Sequence, residues 1–391
     1  VVENPASIVK ELVENSLDAR SSEIIIVIEK GGHQTIQVRD NGSGISSNEL
    51  PVSVMRFHTS KIQTLEDLFS IQTLGFRGEA LASIASVSEM SIISSIRDND
   101  GASLSIVDGS HNGIEPAPKI NGTEITIRDL FYNTPARKKF LKTPRTELRK
   151  IVDIVRRYGL AFPEVSFKLI ADGREIFNLK SEKLEERIDN LLDPTYSKNL
   201  LPLNVTKGDY SFSGFVGSLN LIRSRPGEQY IFLNRRFIKD RLMNRAVYNA
   251  YESLIKRGEY PFFVINLVLP NDQADVNVHP MKLEVRFKDE WRLFNVLKSV
   301  VSDALGSIFQ TAPGFNTSFE FPSENNNRFF DIPNNIANKN IAMDIQQEKI
   351  KPVVSESGFL PNNNLQRARE YVSQLADTSI NNTDPISTEN I

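Results

Sequence analysis

The first forty residues change hydrophobic period, and that switch limits the fold more than any other feature of the chain. From Asn4 to about Ala19 the apolar residues Ile8, Val9, Leu12, Val13 and Leu17 share one broad arc when stepped at about 100° per residue, the signature of an amphipathic helix. Asn4 before Pro5 starts it well: asparagine can cap free amides, and proline occupies a position that needs no N–H. Ile24 to Ile28 is then a β-branched run, Gly31-Gly32 a turn, and Ile36 and Val38 alternate with polar neighbours up to Asp40. A helix with one apolar arc followed by a hairpin predicts an α/β sandwich, extending through further strands and glycine loops to about Phe140.

A helical segment from about Thr146 to Leu160 leads to a second α/β region. Its strand patterns are Val165 to Ile170, Tyr210 to Gly217, Gln229 to Leu233, Phe262 to Leu269 and Leu283 to Phe287, and its helical stretches Asp240 to Ile255 and about Glu290 to Phe309. From roughly Thr311 onward, asparagine, serine and proline replace apolar clusters, which reads as a disordered linker. The expected division is therefore 1–190, 191–310 and 311–391. With 391 residues, 40% of them hydrophobic, there is material for two cores. The apolar runs are far shorter than the roughly 20 residues of a membrane span. Cysteine is absent and the four histidines are scattered, so thiolate zinc chemistry is excluded. Val1 falls directly inside a helical pattern, so the chain reads as a fragment.

Three stretches carry chemistry. Glu11 and Asn15 lie one turn apart at the edge of the apolar arc; there a carboxylate can act as general base on water and an amide oxygen can ligate a hard cation such as Mg²⁺. Taken alone the pair reads as an ordinary polar face, and Glu14, further round that face, as a side chain whose loss should be mild. Asp40-Asn41-Gly42-Ser43-Gly44 follows the hairpin. Its aspartate can accept from an exocyclic amine such as that of adenine, while Gly42 and Gly44 let backbone pass a flat base; by itself it is a turn, or by a stretch a calcium loop. Thr73 to Ile84 is a glycine-bearing loop opening a helix, suited to anions, but without the P-loop spacing. His58-Thr59-Ser60-Lys61 upstream is either a lid or a plain surface loop.

Together KELVENSLDA, RDNGSGI, HTSKI, TLGFRGEALASI and NGTEITIRDLFYNTPARKKFL closely resemble the MutL family of DNA mismatch repair proteins, and NRRFIKDR and ADVNVHPMKLEVRF resemble that family's second domain. The resemblance covers about Val1 to Phe309. It implies a Bergerat (GHKL) ATPase α/β sandwich, shared with gyrase-type topoisomerases, ninety-kilodalton heat-shock chaperones and histidine kinases, followed by a ribosomal-protein-like α/β domain. It implies ATP and Mg²⁺ as ligands, with Glu11 as the general base and Asn15 as the metal ligand. Asp40 would hold adenine, with Gly42 and Gly44 in its loop and Thr123 in support. Thr59 and Gly75, Arg77, Gly78, Glu79, Ala80 and Leu81 would form the lid and phosphate loop. Lys282 would approach the γ-phosphate, and Arg236 and Arg241 would contact DNA.

The resemblance further implies an ATP-driven switch with a MutS-type mismatch sensor as partner, self-pairing on ATP, and a cytoplasmic, nucleoid-associated or nuclear setting. The family pattern begins about a helix earlier, and the family's C-terminal dimerisation domain is not among these residues. A topoisomerase ATPase subunit and a nucleotide-holding module without turnover are the rival readings; GFRGEAL and FYNTPAR favour MutL over the former. Basic residues cluster at Arg137, Lys138, Lys139, Lys142 and Arg145, and at Arg235, Arg236, Lys239, Arg241 and Arg245. From charge alone these are solvated faces. The resemblance makes the second a DNA contact. A net charge of −3 argues against a uniformly basic nucleic-acid binder.

Overall fold

The computed structural model describes residues 2–56, 58, 74–75, 78–96, 99–270, 273–275 and 285–311, the last five without their side chains. Helix α1 (Pro5–Asp18) starts as its sequence predicts: Asn4 Oδ1 accepts from the Ser7 amide, and Ser7 Oγ accepts from the Asn4 amide in return. Its apolar arc, Ile8, Val9, Leu12 and Val13, is fully buried. That arc packs on an eight-stranded sheet formed by β1 (Glu23–Glu29), β2 (Thr35–Asp40), β3 (Glu89–Ser95), β4 (Gly101–Val107), β5 (Ser110–Ala117), β6 (Gly122–Arg128), β7 (Ser166–Ala171) and β8 (Arg174–Leu179). The strands run in the order β5-β4-β3-β6-β2-β1-β7-β8, with every neighbour antiparallel except β1 and β7. The short α2 (Ala80–Ala85), the long α3 (Pro144–Ala161) and α4 (Leu184–Leu191) complete the unit.

Arg187 of α4 is fully buried. Its guanidinium donates to the carbonyls of Gly159, Pro163, Val165 and Lys180 and pairs with Glu182 at 2.6 Å, which ties α3, β7 and the end of β8 together. Burial lowers its pKa and Glu182 opposes that shift.

The second unit is a five-stranded sheet of β9 (Leu200–Lys207), β10 (Tyr210–Gly217), β11 (Gln229–Leu233), β12 (Arg236–Ile238) and β13 (Phe263–Val268), ordered β12-β11-β13-β10-β9. Helices α5 (Arg241–Tyr251) and α6 (Glu290–Thr311) cover one face. The other face leans on the first unit, and the sequence of β11 shows why: Ile231 and Leu233 enter the second unit's core, whereas Tyr230 and Phe232 join the core of the first. A strand apolar on both sides must be covered on both. The fold is therefore mixed α/β, as the sequence implied. Helix α5 is shorter than the pattern suggested, beginning after an Asp240 cap whose Oδ1 accepts from the Met243 amide and ending at Tyr251. Of the expected strand from Leu283 to Phe287, Val285 to Phe287 lie among the described residues and Arg286–Phe287 form a strand; the tail after Thr311 lies outside them. Among the described residues no helix is long and apolar enough to cross a membrane.

Candidate nucleotide site

One edge of α1 gathers most of the site. Glu11, Asn15 and Asp18 follow one another along a single stripe, at spacings of four and three residues that place side chains one above the next. The Glu11 side chain is 40% exposed, so it borders the core without entering it, and Lys10 Nζ donates to its Oε1 at 3.2 Å. Burial disfavours the Lys10 ammonium, but Glu14 and Glu11 outweigh it and its pKa is raised. Asn15 is partly buried one turn on.

Asp18, which the sequence reading passed over, has a clear use. Its two carboxylate oxygens accept from the amides of Leu74 and Gly75, at 2.8 and 3.0 Å. The start of the glycine loop is thereby pinned to α1. The stripe itself was the available signal, since Asp18 continues the line through Glu11 and Asn15. Past the pinned peptide, Gly78 has φ +61°, and a Cβ there would run into the His58 carbonyl, so only glycine lets these two segments meet. Glu79 then leads into α2, where Ala80 begins the helix and Leu81 rests partly buried on the core. Thr59, Arg77 and Lys282 lie outside the described residues.

Asp40 ends β2 and is 8% exposed. Ser16, the neighbour of Asn15 on α1, donates its hydroxyl to Asp40 Oδ2 at 2.8 Å, and the Gly42 amide donates to Oδ1 at 2.9 Å. Burial raises the Asp40 pKa; the Gly42 amide, the hydroxyls of Ser16 and Ser21 and the Thr123 amide work against that rise. Thr123, 7% exposed, shares a hydrogen bond with Ser94 Oγ at 2.9 Å, and Ser94 Oγ accepts from the Ile45 amide at 2.8 Å. Ser16, Asp40, Thr123 and Ser94 thus form a buried polar chain within the first unit. It brings together the expected Asp40, Gly42, Gly44 and Thr123, and adds Ser16, which lies in KELVENSLDA but was given no role there, and Ser94, which no motif marked. Gly44 has φ +72°, and a Cβ there would strike the Ser95 carbonyl. An oriented carboxylate in such a setting can recognise an exocyclic amine.

Two expectations change. Glu14 was placed on the polar face of α1 as a side chain of little consequence, yet it is 2% exposed. Its Oε1 accepts from the Tyr158 hydroxyl at 2.7 Å and pairs with Lys10 at 3.2 Å, because α3 crosses α1 there and closes over that face. Burial first and Glu14 second push the Tyr158 pKa well up. The basic cluster of the second unit also divides. Arg235 pairs with Glu164 at 2.5 Å, and Arg236, expected among the DNA contacts, is partly buried and donates to the Leu74 carbonyl at 2.8 Å. Both arginines are turned to the first unit because β12 lies against it. Lys239, Arg241 and Arg245 remain exposed, with Arg241 and Arg245 one turn apart on α5. The Leu74 peptide is therefore held at its N–H by α1 and at its carbonyl by the second unit.

Two family models match the chain: "Histidine kinase-, DNA gyrase B-, and HSP90-like ATPase" over residues 3–124 and "DNA mismatch repair protein, C-terminal domain" over residues 188–306. The chain is 40% identical over 308 residues to the DNA mismatch repair protein MutL of Dictyoglomus turgidum, covering 78% of this chain and 54% of that protein. It is 43% identical over 311 residues to that of Streptococcus uberis, covering 78% and 47%. It is similar to the solved structure of the Aquifex aeolicus MutL ATPase domain complexed with ADP, at 30% identity and a TM-score of 0.53, covering 69% of this chain and 93% of that one. The chain spans about half the length of the curated relatives it matches.

Proposed function

The chain belongs to the MutL family of DNA mismatch repair proteins, and from that premise we propose that it binds ATP with Mg²⁺ and hydrolyses it, as a switch between mismatch recognition and strand processing. The observation that carries the reading is the convergence on α1 of one carboxylate at the core's edge (Glu11), one amide (Asn15), the hydroxyl that orients Asp40 (Ser16), and the carboxylate that pins the glycine loop (Asp18). In this reading Asp40 accepts from the adenine amino group, with Gly42, Gly44 and Thr123 shaping its surroundings. Gly75 to Leu81 and Thr59 surround the phosphates.

Asn15 suits Mg²⁺ because its donor is a hard amide oxygen, and this cation commonly takes only one or two protein ligands beside phosphate and water. Bound there, it would neutralise phosphate charge. Glu11 takes the proton of the attacking water, and Lys10 beside it keeps the carboxylate in place. Lys282 is assigned to the γ-phosphate, where an ammonium acts as a point charge. Residues 1–190 form the ATPase unit and 191–310 the unit that relays its state. DNA, held through Arg241, a mismatch sensor of the MutS type and a second copy of the protein are the proposed partners.

The test is a pair of measurements. Wild type is expected to bind ATP well ahead of GTP, and Glu11→Ala to retain ATP while hydrolysis falls by roughly 10²–10⁴-fold, the usual weight of a general base. Equal binding of the two nucleotides, or unchanged turnover in the variant, would remove the reading's foundation.

A further inference from the structure

The carboxylate assigned above as general base sits on a helix edge open to water, where a glutamate samples several rotamers unless something holds it. Lys10 Nζ touches it, 3.2 Å from Oε1. The helix alone does not produce that contact, because adjacent residues point about 100° apart and do not face each other. Lys10 must be steered toward Glu11, and its surroundings show by what.

The same ammonium lies 3.2 Å from Glu14 Oε1, one turn on. A lysine four residues before a glutamate is the weaker order for such a pair, so an isolated α1 would hold this contact loosely. Here Glu14 is buried, and the Tyr158 hydroxyl of α3 donates to the same Oε1 at 2.7 Å. One carboxylate oxygen thus accepts from the phenol and pairs with the ammonium. The Lys10 side chain is 13% exposed, so water gives its ammonium few alternatives. The turn of α3 that carries Tyr158 is itself held, since α3 packs along α1 and Arg157 lies 4.1 Å over the Phe237 ring of β12. A continuous line of contacts therefore leads from α3 through Tyr158, Glu14 and Lys10 to Oε1 of Glu11, which leaves Oε2 for water.

We propose that Tyr158 and Glu14 are positioning residues for ATP hydrolysis, which hold Lys10 so that Lys10 orients the Glu11 carboxylate toward the attacking water. This rests on the assignment of Glu11 as general base made above. None of the three needs to touch the nucleotide for this, so their loss should slow turnover and leave nucleotide binding alone. A base misplaced by about 1 Å can lose about 10²-fold in rate, and removing it altogether costs roughly 10²–10⁴-fold. The effect of losing Lys10 is therefore bounded by that of losing Glu11.

The experiment measures steady-state ATP hydrolysis for wild type, Lys10→Met, Tyr158→Phe, Glu11→Ala and the double variant Lys10→Met with Glu11→Ala, with Tyr196→Phe as control. Lys10→Met keeps the stem and drops the ammonium, and kcat should fall by about 10- to 100-fold with KM for ATP unchanged. Tyr158→Phe removes one hydrogen bond and should lower kcat by about 2- to 10-fold; altering a single atom, it carries the test if Lys10→Met does not fold. Tyr196→Phe removes a matching phenol-to-carboxylate bond, to Glu228 Oε2 at 2.8 Å. It should lower thermal stability as Tyr158→Phe does and leave kcat alone. In the Glu11→Ala background Lys10→Met should cost nothing further, since a residue that acts only through Glu11 has nothing left to orient. Wild-type kcat in Lys10→Met, a rise in KM in place of a fall in kcat, or the full Lys10→Met loss repeated on top of Glu11→Ala overturns the proposal. So does an equal effect of the two tyrosine changes on kcat. Should Glu11→Ala turn over at the wild-type rate, the general-base reading falls and this one with it; if Glu11→Ala is slow while Lys10→Met and Tyr158→Phe are not, only this one fails.

Discussion

Asp18 offers the most direct test of how α1 governs the glycine loop. Asp18→Asn keeps the side chain's shape but replaces one of two acceptor oxygens by a donor that faces the Gly75 or Leu74 amide, each of which now donates to the carboxylate. One charge-assisted hydrogen bond is lost and the other becomes neutral. With about 1.5–3 kcal/mol for a hydrogen bond to a charged group and about 1 for a neutral one, the pinned arrangement loses roughly 2–5 kcal/mol. The change is local, since neither partner belongs to a strand or to the body of the core sheet. If phosphates bind only the pinned loop, ATP affinity drops in proportion to the pinned fraction, by up to about 30-fold for 2 kcal/mol. Adenosine, which on the proposed reading needs only the Asp40 pocket, should bind as before. Calorimetric titration of both ligands, with hydrogen exchange at the Leu74 and Gly75 amides, decides it. Faster exchange at those amides with ATP affinity intact would show that the pinned loop is irrelevant to phosphate binding and refute the reasoning.

Three further outcomes are expected. Glu14→Ala should destabilise the fold by about 3 kcal/mol in urea titrations, because it strands the Tyr158 hydroxyl and the Lys10 ammonium; a neutral result would return Glu14 to the polar face. The raised pKa of Asp40 means that the folded state holds its proton more tightly than the unfolded one, so this group's contribution to stability is fully present below the ordinary value of 3.8 and is lost as pH rises through the folded pKa. On the proposed reading adenine recognition runs the other way, since it needs the acceptor: nucleotide affinity should fall on acidification through that same window and should do so less in Asp40→Asn, which fluorescence titration across pH can show. Arg241→Glu should weaken DNA binding with little sequence preference and a shallower salt dependence, read from titrations at several ionic strengths.

How much the sequence disclosed depended on whether a residue's role is local. The Asn4-Pro5 start, the buried arc of α1 and the β1–β2 hairpin follow from spacing along one or two elements, and all were legible. So were Asp40 and its glycines, whose loop is contiguous. Ser16 and Ser94 were not, because they matter only through partners brought in by other elements: Ser16 by the approach of β2 to α1, Ser94 by the pairing of β3 with β6. Glu14 failed for the same reason, since helical phase cannot reveal that α3 crosses above it. Arg236 shares its sequence neighbourhood with Arg241 but not its surroundings, and charge runs carry no record of which side faces another unit. Strand β8 and the edge strand β5 were missed for a lesser reason. Asp172-Gly173 and Asp108-Gly109 adopt positive φ at both residues and close two-residue hairpins, a signal that was present and not used.

The single parallel pairing in the large sheet bears on how the chain acquires its structure. β1 is made well before its outer partner β7, which comes from far along the sequence, so that Ile24 lies beside Phe167. Until β7 is synthesised, the Ile-rich β1 is an unprotected edge able to pair with other chains. Closing that long loop costs entropy before any contact repays it, which places the step in the slow regime of non-local pairing. The helix bearing Glu11, Asn15 and Asp18 packs against this incomplete sheet and against α3, which also arrives late. During synthesis, the α1 residues of the candidate site are therefore made well before they are secured, and the interval between the two is when a nascent chain most needs protection from aggregation.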